Sequence, residues 1–263
     1  MEKERLKDYL FLLFFCVVYL VVKNIIMSSF YNKDMIVFLD VGMGDSFLIK
    51  SKNKYLVVDG GPSFKNYNKI FKYTQGKKPT NFLITHHHSD HISGVLFGLK
   101  TVVNYDLFSP LVYNNTFQSY YLKKRITKNL FKGDSLILGN FKIDVVWPSK
   151  KCNDKNINIC SVVLLVTHAN GKKVLLMSDS EYLAQDEYYS YLPYVDYLKI
   201  PHQGSKDSLH KKLLNKTMPK YAILSVNKNS YGHPHKEVLD YYKKMGIKVL
   251  RTDVSGDIIL IFE

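Results

Sequence analysis

One short stretch constrains this chain more than any other. In Asn81-Phe82-Leu83-Ile84-Thr85-His86-His87-His88-Ser89-Asp90-His91-Ile92-Ser93-Gly94, four histidines and one aspartate fall within six residues. The apolar residues before them read as a buried strand, and the apolar run resumes after Gly94 as a helix. The spacing is H-x-H-x-D-H, set by His86, His88, Asp90 and His91. Imidazole nitrogen and carboxylate oxygen suit borderline divalent metals such as zinc, manganese or iron. On an extended turn His86 and His88 project to one side and could share one ion. Asp90 and His91, displaced along the turn, could reach a second. A solvated polar loop or a weakly binding histidine-rich tract is the plain alternative. The order of the cluster, between a buried strand and a helix, favours a built metal site.

With 263 residues the chain can bury one large core, and no break in composition marks a second domain after the amino-terminal segment. The formal net charge of +14 favours an anionic partner: nucleic acid, an anionic membrane surface or a polyanionic wall polymer. Lysine-rich and asparagine-rich usage alone would also produce it. Cys16, Cys152 and Cys160 form neither a zinc knuckle nor an even disulfide framework. Cys152 and Cys160 could pair if the domain lies outside the cytoplasm.

Residues 1–30 read as a membrane anchor or signal segment, and 31–263 as the main domain. Tyr9 to Val22 is uncharged, and Ile25-Ile26-Met27 extend it past Lys23. With Lys23 snorkelling, the run approaches the roughly 20 residues a bilayer span needs. Met27-Ser28-Ser29-Phe30 is a poor cleavage site, which favours a retained anchor over a secreted product. Lys3, Arg5 and Lys7 precede the span, so the expected topology has the amino terminus inside and the domain outside the cell membrane.

Strands are expected over Met35 to Asp40, Ser46 to Lys50 and Tyr55 to Asp59, with a turn at Gly42-Met43-Gly44-Asp45 and a stop at Gly60-Gly61-Pro62. Phe64 to Gln75 reads as a surface helix, Val102 to Phe108 as a strand and Asn115 to Lys128 as an amphipathic helix. The last carries Tyr120, Tyr121, Lys123, Lys124 and Arg125, a pattern that either stacks bases or divides into a core face and a solvated face. Leu136 to Trp147 suggests a hairpin turning at Gly139-Asn140. Asn158 to Val166 and Lys173 to Asp179 are strands joined at Asn170-Gly171. Asp179 ends a buried run, where a lone aspartate usually caps the helix that follows, here Glu181 to Tyr191. Tyr197 to Ile200 leads into Pro201-His202-Gln203-Gly204-Ser205. Strands over Tyr221 to Val226 and Val249 to Thr252 follow, with Tyr231-Gly232-His233-Pro234-His235 between them. The last of these closes on Gly256 to Ile261.

The H-x-H-x-D-H spacing resembles the metallo-β-lactamase superfamily. The runs D-V-G-M-G-D-S-F-L-I, Y-L-V-V-D-G-G-P, P-H-Q-G-S and Y-G-H-P-H resemble the hydrolase domain of ComEC-like competence proteins, over roughly Met35 to Phe262. That resemblance implies a four-layer αββα sandwich, an α/β fold, with metals at one edge between the sheets. It implies two divalent ions, zinc or manganese, held by His86, His88, Asp90, His91, Asp179 and His202. Asp179 would bridge them, and Asp90 would also serve catalysis. Asp59 would support the histidine loop from behind, and Asp45 would lie near the same mouth or remain a plain turn residue. His233 would bind a phosphate oxygen or protonate a leaving group; a turn histidine without a catalytic role is the other reading.

The implied function is metal-dependent hydrolysis of a phosphodiester, DNA or another polyanion, at the cell surface. A surface phosphoesterase on a small-molecule or wall-polymer substrate, or a non-catalytic DNA-capture protein, is the alternative. The many-spanning channel of ComEC has no counterpart here, so the chain is expected not to be the transporter itself. Three departures qualify the resemblance. His88 stands where ComEC-like domains often carry aspartate, and Gln203 replaces a histidine. His168, the one histidine between His91 and Asp179, falls at a hairpin end.

Overall fold

A computed structural model of the chain describes residues 2–111 and 116–263. It divides into two compact units, Met1–Lys33 and Asp34–Glu263. In the first unit one helix, α1 (Glu2–Tyr31), runs for 30 residues, about 45 Å at 1.5 Å per residue. Its segment Lys7–Tyr31 is long and apolar enough to cross a membrane.

The second unit is built on two seven-stranded sheets. The first holds β1 (Asp34–Phe38), β2 (Phe47–Ser51), β3 (Lys54–Val58), β4 (Asn81–Leu83), β5 (Asp106–Ser109), β6 (Lys128–Asn129) and β14 (Ile258–Phe262). The second holds β7 (Ser135–Leu138), β8 (Phe141–Trp147), β9 (Val163–His168), β10 (Lys173–Leu176), β11 (Tyr197–Lys199), β12 (Tyr221–Leu224) and β13 (Lys248–Arg251). Strand alternation assigns each sheet two buried faces. Leu164 and Val166 of β9 join Ile36, Phe38, Phe47 and Ile49 in the core between the sheets. Val163 and Leu165 instead join Tyr188, Leu213, Leu214, Val238 and Tyr242. These last come from α6 (Tyr182–Tyr188), α7 (Lys211–Thr217) and α8 (Lys236–Lys244). On the far face of the first sheet lie α2 (Phe64–Lys69), α3 (Phe71–Thr74) and α4 (Ser89–Leu99), where Tyr67 packs on Phe82 and Phe97. The layers run helix, sheet, sheet, helix, as the αββα expectation requires.

Several local expectations are corrected. The helix after the histidine motif begins at Ser89, not beyond Gly94, so Asp90 and His91 occupy its first turn. Phe64 to Gln75 breaks into two helices at Ile70, and Tyr67, Ile70 and Tyr73 are buried. The helix expected over Asn115 to Lys128 is α5 (Phe117–Lys123); its expected start at Asn115 lies outside the described residues. The strand expected over Val102 to Phe108 runs only over β5, and β9 begins at Val163, so Asn158 to Ser161 is a turn. The carboxyl-terminal strand does not close on β13: it crosses to the other sheet and pairs antiparallel with β1. Cys152 and Cys160, whose pairing the sequence leaves open, form a disulfide.

Candidate metal centre

Four of the expected functional residues stand just past the carboxyl ends of parallel strands. β3 and β4 run parallel, as do β10 and β11. Asp59, His86, Asp179 and His202 follow these four strands in turn. Open α/β sheets gather ligands at such ends. Asp59, Ser178, His202 and Gln203 adopt positive φ, between 47° and 57°, a conformation non-glycine residues rarely take. Strained backbone is thus concentrated at this mouth.

Two close glycine approaches let α4 settle here. A Cβ on Gly94 would lie 1.9 Å from the Gly60 carbonyl oxygen, and one on Gly44 would lie 2.1 Å from that of Asp90. The Gly60 N–H donates to the carbonyl of His91 at 2.7 Å. The D-G-G turn and the first turn of α4 are therefore stitched together, which brings His91 against Asp59.

Asp59 is fully buried and fully used. Its Oδ1 accepts from the Thr85 backbone N–H at 2.9 Å, and its Oδ2 accepts from Thr85 Oγ1 at 2.6 Å and His91 Nδ1 at 2.8 Å. The other ring nitrogen of His91, Nε2, is buried without a hydrogen bond. It faces Asp179 Oδ2 at 3.3 Å and Asp90 Oδ2 at 3.7 Å. His86 Nε2 stands 3.7 Å from Asp179 Oδ2 and 3.0 Å from His88 Nδ1. His202 Nε2 stands 3.9 Å from the same aspartate oxygen, and its unbonded Nδ1 is 3.6 Å from Glu181 Oε1. His86, His88, Asp90, His91, Asp179 and His202 are thus brought together. His168 is not: it lies at the far end of β9, its Nε2 3.0 Å from Asp34 Oδ2.

His233 reaches the same region from another loop, its ring centroid 5.6 Å from that of His202, and its Nδ1 is buried without a hydrogen bond. It lines an open cavity of about 420 Å³ together with His88, Asp90, Asn158, Asp179, His202 and Tyr231. His87, the histidine outside the expected ligand set, turns away: its nitrogens hydrogen-bond Ser109 and Ser119 at 2.8 Å. Burial pushes its pKa down to about 3.

Three features of the surroundings were not legible in the sequence. Lys199 is completely buried, in ion pair with Asp45, and donates to the Ser178 carbonyl at 3.0 Å. The one available signal was a lone lysine inside the apolar run Tyr197-Leu198-Lys199-Ile200. Gln203 Nε2 donates to Asp179 Oδ1 at 3.2 Å. Glu181 accepts from the side-chain amides of Asn156 and Asn158, tying the loop before β9 to the turn after β10.

The electrostatics call for a cation. Burial works against a charged His91, but Asp179, Asp90 and Asp59 outweigh it and raise its pKa well above the usual histidine range. Burial likewise opposes a charged Asp179, yet His91 and the neighbouring histidines hold it well below the usual carboxylate range. Burial, reinforced by His91, pushes His86 well below its ordinary value. Burial also lowers His88 and His233. Lys199 Nζ stands 3.9 Å from Asp179 Oδ1 on one side, while on the other the unbonded Nε2 of His91 points at Asp179 Oδ2 and Asp90 Oδ2. His86, His91 and Asp179 each offer a ligand atom within 4.8 Å of the others. Imidazole and carboxylate donors so arranged fit a borderline divalent ion.

Comparison with known proteins agrees. A profile of the metallo-β-lactamase superfamily matches residues 39–104. ComE operon protein 3 of Bacillus subtilis is 28% identical over 261 residues, covering 88% of this chain and 33% of its own length. Competence protein ComA of Neisseria gonorrhoeae is 26% identical, with 86% of this chain and 32% of its own length covered. The chain spans about a third of the length of these curated relatives. Among solved structures, the metallo-β-lactamase fold protein YhfI from Bacillus subtilis superposes with a TM-score of 0.60 at 16% identity, over 87% of this chain and all of that one. Motif, fold and relatives point the same way: residues 39–104 match the metallo-β-lactamase superfamily, the fold is the metallo-β-lactamase fold, and the chain is similar to competence proteins of the ComEC type.

Proposed function

We propose that the chain hydrolyses phosphodiester bonds with the help of divalent metal, that its substrate is DNA, and that it works at the outer face of a membrane holding α1. The observation that carries this reading is the surroundings of Asp179 Oδ2. Three imidazole nitrogens, from His91, His86 and His202, face it at 3.3, 3.7 and 3.9 Å. When bound by His86, His88, Asp90, His91, Asp179 and His202, two ions, zinc or manganese, would supply Lewis-acid stabilisation of phosphoryl charge and activation of water.

The chain's own residues do the rest. Asp59 holds the His91 ring so that Nε2 stays turned toward Asp179. Gln203 holds the second oxygen of Asp179. His233 lines the cavity that would receive the phosphate; in this reading it donates to a phosphate oxygen or passes a proton to the leaving oxygen. The net charge of +14 draws a polyanion to the surface. The competence proteins among the relatives support DNA as that polyanion. The Cys152–Cys160 disulfide supports an oxidising compartment, in keeping with Lys3, Arg5 and Lys7 on the cytoplasmic side of α1.

The test uses the full chain in detergent, loaded in turn with zinc, manganese and magnesium, and given single- and double-stranded DNA. Parallel reactions contain a small phosphodiester and a wall polymer. Cleavage of DNA that disappears in the Asp90→Ala, His91→Ala variant is the expected result. Cleavage that persists equally in that variant removes the catalytic assignment. Binding without cleavage under every metal would make the protein a DNA-capture platform. Turnover of the small phosphodiester or wall polymer alone would redirect the substrate.

A further inference from the structure

We infer that Lys199, Asp45 and Gln203 form a clamp on one side of Asp179, fixing Oδ1 so that Oδ2 alone is offered to the metal centre. The inference rests on the metal reading above and assigns positioning roles to residues outside its ligand set.

The two oxygens of Asp179 have different neighbours. Oδ2 faces the imidazole nitrogens of His86, His91 and His202. Oδ1 accepts from Gln203 Nε2 at 3.2 Å and faces Lys199 Nζ at 3.9 Å. Lys199 also grips the main chain beside it, donating to the carbonyl of Ser178 at 3.0 Å. Ser178 itself sits at φ 47°, so the backbone that aims Asp179 is held in a rarely populated conformation. Lysine supplies three donors, and here two reach Asp45 and the Ser178 carbonyl while the charge faces the flank of Asp179.

Asp45 explains why that lysine is rigid. It precedes β2 in the first sheet, whereas Lys199 ends β11 in the second, so their ion pair ties the sheets together behind the site. The Asp45 carbonyl accepts from Gly61 N–H at 2.9 Å, which joins the pair to the turn that bears Asp59. Asp45, Asp59 and His91 are close enough to hold an ion of their own. Lys199 already supplies the cation there, which takes Asp45 out of the ligand set. Removing two charges from water is costly, and apolar replacements of similar volume are often as stable. Stability therefore does not account for a fully buried Lys–Asp pair at this spot, whereas aiming Asp179 does.

Three variants of the full chain in detergent test the clamp: Lys199→Met alone, Lys199→Met with Asp45→Leu, and Gln203→Leu. Each is melted without metal, titrated calorimetrically with Co²⁺, and its Co²⁺ absorption spectrum recorded. Lys199→Met alone is expected to melt lower, because Asp45 is left buried and unpaired. The double variant and Gln203→Leu are expected to melt near the wild type yet bind Co²⁺ about 10–100-fold more weakly, the usual penalty for losing an outer support of a ligand, with an altered spectrum. A folded double variant and a folded Gln203→Leu that keep wild-type affinity and spectrum overturn the clamp. Wild-type protein that takes up no Co²⁺ overturns the metal reading itself, and the clamp with it.

Discussion

His91 Nδ1 and Asp59 Oδ2 stand 2.8 Å apart with both side chains fully buried, and the same carboxylate takes both the backbone and hydroxyl donors of Thr85. Asp59 thereby couples the orientation of the His91 imidazole, a proposed metal ligand, to the segment that follows β4. An asparagine cannot satisfy all three donors: its amide would confront either His91 or the Thr85 N–H. Asp59→Asn is expected to weaken metal binding about 10–100-fold. It should also cost roughly 1–3 kcal/mol of stability, the usual effect of one unsatisfied buried donor. Calorimetric titration beside urea denaturation measures both. Unchanged affinity would detach Asp59 from the site.

The glycine contact beneath α4 yields a second expectation. Gly94→Ala places a methyl where the Gly60 carbonyl now lies, 1.9 Å from an ideal Cβ. The helix must lift, at a cost of about 1–3 kcal/mol. For a domain of this size that lowers Tm by roughly 2–4 °C per kcal/mol, which a calorimetric scan resolves. Metal affinity should fall in parallel, since His91 rides on that helix turn. A variant with wild-type Tm would show that the contact relaxes freely.

A third concerns acid. Burial raises the Asp34 carboxyl, but hydrogen bonds from His168, Asn140 and Ser51 outweigh it and hold its pKa below the ordinary value. A group depressed on folding stabilises the fold above its unfolded pKa, about 3.9, and that stability is lost as pH falls through the lower folded value. Wild-type protein should therefore lose stability on acidification below about pH 4 more steeply than Asp34→Asn. Parallel slopes in a pH series of denaturation curves would contradict this.

A fourth concerns the charge. Polyanion binding through neutralised phosphates weakens linearly in log affinity against log salt. Fluorescence anisotropy of a labelled oligonucleotide with chelator-treated protein should show about a tenfold loss or more between 50 and 200 mM salt, the effect of roughly two neutralised phosphates. A flat response would mean the +14 balance is not directed at the nucleic acid.

Much of the site is visible in the sequence because its residues sit where strands stop. His86, Asp179 and His202 each end an apolar run, and a run that ends on a titratable group is a local signal. The sheet partners of β14 and β13 are not, because β14 pairs with β1 across more than 200 positions and nothing local announces it. The start of α4 at Ser89 was hidden for another reason: Ser89-Asp90-His91 carries no apolar periodicity, and the packing of Gly94 on Gly60 sets the helix there. Lys199 shows the clearest limit. A lysine within an apolar strand suggests an exposed edge, and only its partner Asp45, 154 positions away, makes burial sensible.

Side chains from distant strand ends converge on Asp179, around which the proposed metal centre would form. Anomalous diffraction at the zinc edge from zinc-soaked crystals of the protein tests it most directly. Peaks beside Asp179 Oδ2, one toward His86 and one toward His91 or His202, are the expected result. Full zinc occupancy elsewhere on the molecule, with the space around Asp179 empty, would contradict it.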